Sequence, residues 1–130
     1  MTKLTADQLV ELVEQRYFRN VDSKNIDPVL ECFAEDAVLS VQTAGVTHRG
    51  RDGEIREMFE GFMGDIKTIY HGDMTHVVDV ENQQIASQFV ARNDYDDGRH
   101  VEMRNCNFFE VEGGVFKRVT IYMSGENPLT

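Results

Sequence analysis

Three residues in this chain are of the types that proton chemistry at carbon requires: a phenol at Tyr17, a carboxylate at Asp22 and an imidazole at His71. A histidine acts as a base when a carboxylate behind it sets its tautomer and balances the imidazolium, and a phenol can donate a hydrogen bond to an oxygen on which charge develops. Each also has an ordinary use. A tyrosine ring on an apolar helix face packs in a core, an aspartate after a helix solvates a turn, and a lone histidine at a strand end is a packed or surface residue. The three make a site only if later elements bring His71 against Asp22.

Asn105 and Asn107 stand two apart in a predicted strand and so share a face with Met103 and Phe109. Amides on an apolar strand face are costly unless they bond something, a ligand in a cavity or one another. His48, His76 and His100 are scattered without a metal-binding spacing, and Cys32 and Cys106 sit inside apolar patterns, so no metal site and two reduced thiols are expected. No glycine-rich phosphate loop and no serine-hydrolase motif is present, so no nucleotide or other cofactor is implied.

Residues 15–41 read as the end of one helix, a polar turn, a second short helix and a first strand. Leu9, Leu12, Val13 and Tyr17 mark the apolar face of the first helix, with Thr5 and Gln8 as a capping box, and its end is expected near Asn20. Asp22 then falls in the turn. Asp27 is expected to cap and Pro28 to open the second helix, residues 37–41 form the first strand, and 42–53 read as loop. Asp52 caps a third helix in which Ile55, Met58, Phe59, Phe62 and Met63 make the clearest amphipathic pattern, stopped by Gly64. Residues 68–80, 85–94, 100–110 and 115–123 are rich in β-formers, and the Asp97-Gly98 and Gly113-Gly114 pairs between them are hairpin signals. Helices followed by an antiparallel meander describe an α+β chain with helices packed on one face of a curved sheet.

The chain has 130 residues, enough for a single domain spanning 1–130 with one core. Acidic residues outnumber basic ones by 23 to 13, for a net charge of −10, which argues against nucleic acid or an anionic membrane as partner. No stretch has the apolar run of a signal peptide or of a membrane span, so a cytoplasmic location is expected.

The order of helices, the spacing of Tyr17 and Asp22, and four segments resemble the nuclear transport factor 2-like superfamily over nearly the whole chain. The segments are Gln15-Arg16-Tyr17, Phe33-Ala34-Glu35-Asp36-Ala37, His48-Arg49-Gly50-Arg51 and Gly114-Val115-Phe116-Lys117. That superfamily holds the SnoaL-like polyketide cyclases, ketosteroid isomerase and scytalone dehydratase, and the resemblance implies a cone-shaped curved sheet with three N-terminal helices enclosing a pocket. Tyr17 resembles the first-helix tyrosine of ketosteroid isomerase, but that enzyme's carboxylate base falls near Val41 and its acidic donor near Asn107, so its mechanism is disfavoured. Scytalone dehydratase, bile acid 7α-dehydratase and hexachlorocyclohexane dehydrochlorinase are similar in placing an aspartate after the first helix and a histidine at the start of the sheet, as at Asp22 and His71. Asn105 resembles the pocket asparagine of scytalone dehydratase, whose first-strand tyrosine again falls near Val41.

The reading that follows is a cofactor-independent lyase or isomerase, dehydratase-like, acting on a small apolar, cyclic substrate. His71, Asp22 and Tyr17 would do the chemistry, and Asn105, Asn107, Val41, Met103 and Phe59 would hold the ligand. The alternative is a non-catalytic ligand-binding or dimeric interaction domain of the same fold. Relatives commonly bury the outer face of the sheet, so the resemblance also implies a homodimer.

Overall fold

The computed structural model describes residues 3–130. Thr5 opens the first helix with the expected capping box: its hydroxyl accepts the Gln8 backbone N–H at 3.2 Å, and the Gln8 side chain accepts the Thr5 N–H at 2.9 Å. This helix, α1, runs through three consecutive stretches, Ala6–Glu11, Leu12–Phe18 and Arg19–Asp22. The middle stretch is wound more widely, so that the Arg19 N–H donates five residues back to the Glu14 carbonyl. That winding turns both Tyr17 and Phe18 to the buried side, beside Leu9, Leu12, Val13 and Val21. The expected end near Asn20 is corrected. The Ser23 N–H still donates to the Arg19 carbonyl, so helical bonding continues and Asp22 lies in the last turn.

Asn25, rather than Asp27, precedes the second helix, α2 (Ile26–Glu31), and Asp27 instead pairs with Arg56 at 3.3 Å. The third helix, α3 (Arg56–Asp65), follows a wide turn over Gly50–Ile55. Asp52 does not cap it, because its carboxylate is bound by the neighbouring Arg51 at 2.9 Å. Met58, Phe59, Phe62 and Met63 are buried, as the periodicity requires.

Six strands follow the order β2-β1-β6-β5-β4-β3 in one curved sheet, whose two edges do not meet to close a barrel. They are β1 Phe33–Val41, β2 Val46–Arg49, β3 Thr68–Asp79, β4 Gln84–Asp94, β5 His100–Glu112 and β6 Val115–Tyr122. The sheet is antiparallel except where β1 runs parallel to β6. β1 starts before the predicted Ala37, through an irregular first half whose pairing to β6 shifts between Phe33 and Val38. β2 lies inside the predicted loop, folded back on β1 by a left-handed Gly45 with φ 67°.

The inner face of the sheet is read from the register. Ile85, Ser87, Phe89, Ala91 and Asn93 of β4 stand opposite Phe109, Asn107, Asn105, Met103 and Val101 of β5. β3 bulges between Gly72 and Thr75, with Asp73 at φ 53°, and bends directly after His71. Helix α1 packs its aromatic side against this face. The Tyr17 ring meets Phe116 at 5.4 Å, Phe33 and Phe109 at 5.8 Å, and Phe59 at 6.2 Å between centroids. Burying each such ring contributes roughly 1.5–3 kcal/mol, so this cluster fixes the helix on the sheet and with it the position of everything α1 carries.

Candidate active site

Helix α1 presents two carboxylates to two histidines on β3. Near its end, the Asp22 Oδ1 accepts the His71 ring Nδ1–H at 2.5 Å while Oδ2 accepts the His71 backbone N–H at 2.9 Å. Two turns earlier, Glu14 accepts the His76 Nε2–H, and His76 Nδ1 accepts the Ser87 hydroxyl at 2.8 Å. The pairs differ in what they leave free. Both ring nitrogens of His76 are occupied, whereas His71 keeps Nε2 unbonded among the described residues. Ordered in this way, His71 carries its lone pair on the nitrogen away from Asp22.

His71, which also borders an outer groove beside Asp22, belongs to a wall of the chamber between α1, α3 and the sheet. Tyr17, Phe59, His71, Met103, Asn105 and Asn107 all line it, together with Phe18, Phe62, Phe89 and Asn93. The chamber is thin, with a cavity volume of about 30 Å³. Phe18, Phe89 and the imidazole form a three-ring cluster, with His71 4.7 Å from Phe18 and edge-on 5.4 Å from Phe89, and the two phenyl rings 4.8 Å apart, which buttresses the imidazole. Asp22 is not on the chamber wall. It lies behind His71 along an outer groove with Gln15, Arg19 and Ser23, with 24 % of its side chain exposed against 10 % for His71.

Tyr17 is buried, and its hydroxyl has no hydrogen-bond partner among the described residues. Burial, then Cys32 and Asp22 nearby, push its ionisation well above the usual phenol range, so it stays a neutral donor. Cys32 is fully buried, with its thiol pushed up to about 11 mainly by burial, and it donates to the Pro28 carbonyl at 3.5 Å.

Residues 15–119 match the family described as a SnoaL-like domain. The chain belongs to that family. No curated protein matches it. Among solved structures, this SnoaL-like chain is similar to a candidate polyketide cyclase from Xanthomonas campestris pv. campestris, at 21 % identity over 89 % of this chain and 90 % of that one, TM-score 0.78. It is similar to the BvnE pinacolase of Penicillium brevicompactum, at 12 % identity over 91 % and 86 %, TM-score 0.77. A third is a protein with a ketosteroid isomerase-like fold from Catenulispora acidiphila, at 13 % identity over 91 % and 86 %, TM-score 0.76. Identities this low establish the shared fold.

Within the SnoaL-like chamber, Val41 is corrected. It is fully buried in the core, opposite Ile121 of β6, and is not among the residues that line the cavity. Asn105 is partly satisfied, its side-chain oxygen accepting the Ser124 N–H at 3.2 Å. Asn107 is not: its side-chain oxygen is buried without a partner. Asn93, in the same state on β4, and the Glu14–His76–Ser87 array are not among the residues expected from the sequence. Asn93 was detectable, because extending the alternation of Ile85, Phe89 and Ala91 by two places puts it on the inner face. The array was not, because Glu14 and His76 lie 62 residues apart. The described residues contain no cluster suited to a metal ion and no helix long and apolar enough to cross a membrane.

Proposed function

We propose that this chain is a cofactor-independent lyase or isomerase of the dehydratase kind, acting on a small apolar cyclic substrate held in the SnoaL-like chamber. The observation that carries the reading is the Asp22 grip on His71, which ties up Nδ1 and leaves Nε2 unbonded on a residue that lines the cavity. In a dehydration, Nε2 takes a proton from carbon next to a carbonyl, and the electron pair becomes the new double bond. The adjacent C–O bond breaks, and the leaving hydroxyl departs as water with the proton returned by the imidazolium. Asp22 balances the imidazolium charge, and Tyr17, held neutral, donates to the substrate oxygen. Asn105, Asn107, Met103 and Phe59 position the ligand.

The test is turnover of a panel of cyclic β-hydroxy ketones, followed by the absorbance of the enone formed. Wild type should convert at least one compound, and Asp22→Asn should be slower by about 10²-fold. Equal rates for the two proteins would count against the dyad.

A second reading, a non-catalytic binding module, is favoured by the thinness of the chamber. Binding of a planar ligand without turnover of any panel member would select it. Under either reading we infer a homodimer through the outer face of the sheet, where Val77 is 73 % exposed and Phe108 51 %, the latter edge-to-face with Tyr122 at 6.1 Å. A monomer in light scattering at micromolar concentration would contradict this.

A further inference from the structure

Asn93 and Asn107 are each only 2 % exposed, both line the chamber, and the side-chain oxygen of each is buried with no hydrogen-bond partner among the described residues. An unpartnered amide in an apolar wall destabilises the free protein, so its presence twice in one cavity points to partners supplied from outside the chain. Rotating either amide by half a turn exchanges donor and acceptor in place, so each can meet a hydroxyl or a carbonyl.

The register places the two amides apart. Asn93 pairs with Val101 and Ser87 with Asn107, so the two asparagine rows are separated by six residues along β5, about 20 Å at a strand's rise per residue. The row containing His71, Ala91 and Met103 lies between them. Asn105, also between them, already has the Ser124 N–H. The unmet polar demand therefore lies in the two outer rows, while between them Ala91, Met103 and Phe89 surround His71 and Asn105, each of which already has a bond within the chain.

We propose that Asn93 and Asn107 are specificity-determining residues that recognise a ligand carrying a hydrogen-bonding group at each end of a flat apolar body. The inference deepens the reading of the chamber as a substrate site and rests on it, but it does not depend on His71 acting as a base.

Three flat probes of graded polarity test it: trans-stilbene, 4-hydroxy-trans-stilbene and 4,4′-dihydroxy-trans-stilbene. Their own fluorescence reports binding, because the protein contains no tryptophan. Wild type should prefer the diol over the mono-ol, and the mono-ol over the parent, by roughly tenfold at each step. Asn93→Leu and Asn107→Leu should each erase one step and raise Tm, because each replaces an unpartnered amide by an apolar group. Asn93→Ala, which adds no bulk, should lose the same step. A variant that keeps the diol preference, a fall in Tm for both Asn93→Leu and Asn107→Leu, or a wild type that binds no diol or binds diol and parent equally overturns the proposal. His76→Ala, at a residue that does not line the chamber, should retain the diol preference. If His71→Ala retained turnover, the dyad would fail while the recognition of two polar ends stood.

Discussion

The Asp22 carboxylate holds His71 by two bonds at once, Oδ1 to the ring Nδ1–H at 2.5 Å and Oδ2 to the backbone N–H at 2.9 Å. One residue thus orients the imidazole and pins β3 to the end of α1 just before the strand bends. The two duties separate by substitution. Asp22→Asn keeps a side chain able to bond the backbone N–H and should change stability little. Asp22→Ala leaves that N–H and the ring without their partner and should cost about 1–3 kcal/mol in urea unfolding.

Tyr17→Phe isolates the hydroxyl. The ring keeps its contacts with Phe33, Phe59, Phe109 and Phe116, and the hydroxyl has no protein partner to lose, so stability should move by less than about 1 kcal/mol. Turnover should fall by about 10²-fold, as when a donor to a developing oxyanion is removed. Tyr17→Ala should cost about 3–5 kcal/mol, since it empties the centre of the aromatic cluster.

Stability should decline on the alkaline side. The Cys32 thiol rises from an ordinary value of 9.0 to about 11 in the folded chain, chiefly through burial. Between those values the unfolded chain releases its proton and the folded one keeps it, so the contribution is whole below about 9 and is lost as pH rises to about 11. Tyr17, also raised by burial, acts in the same direction at higher pH. Tm measured across this range should fall for wild type and fall less for Cys32→Ala.

How much of this was legible in the sequence depended on the range of the signal. The capping box at Thr5, the α3 stripe and the four later strands follow from neighbours within a few residues, and the structure keeps them. β2 escaped because Val46-Thr47-His48-Arg49 is short, half polar and bracketed by glycines, and its His48 is buried by the carbonyl of Leu129, 81 residues away. The end of α1 was misjudged because its wide turn adds a residue per turn that a regular helical period does not anticipate. Val41 was assigned to the ligand through resemblance, but the parallel pairing of β1 with β6 buries it in the core beside Ile121.

The two carboxylate-bound histidines of β3 supply the most direct test of the central claim, that His71 is the base. His76 is bonded at both ring nitrogens and does not line the chamber, so His76→Ala should lower Tm by exposing the loss at the buried Ser87 hydroxyl yet leave turnover near wild type. The deciding measurement is kcat for His71→Ala beside His76→Ala on the best substrate of the β-hydroxy ketone panel. A loss of about 10²–10⁴-fold for His71→Ala alone is the predicted result. Turnover by His71→Ala equal to that of His76→Ala would contradict it.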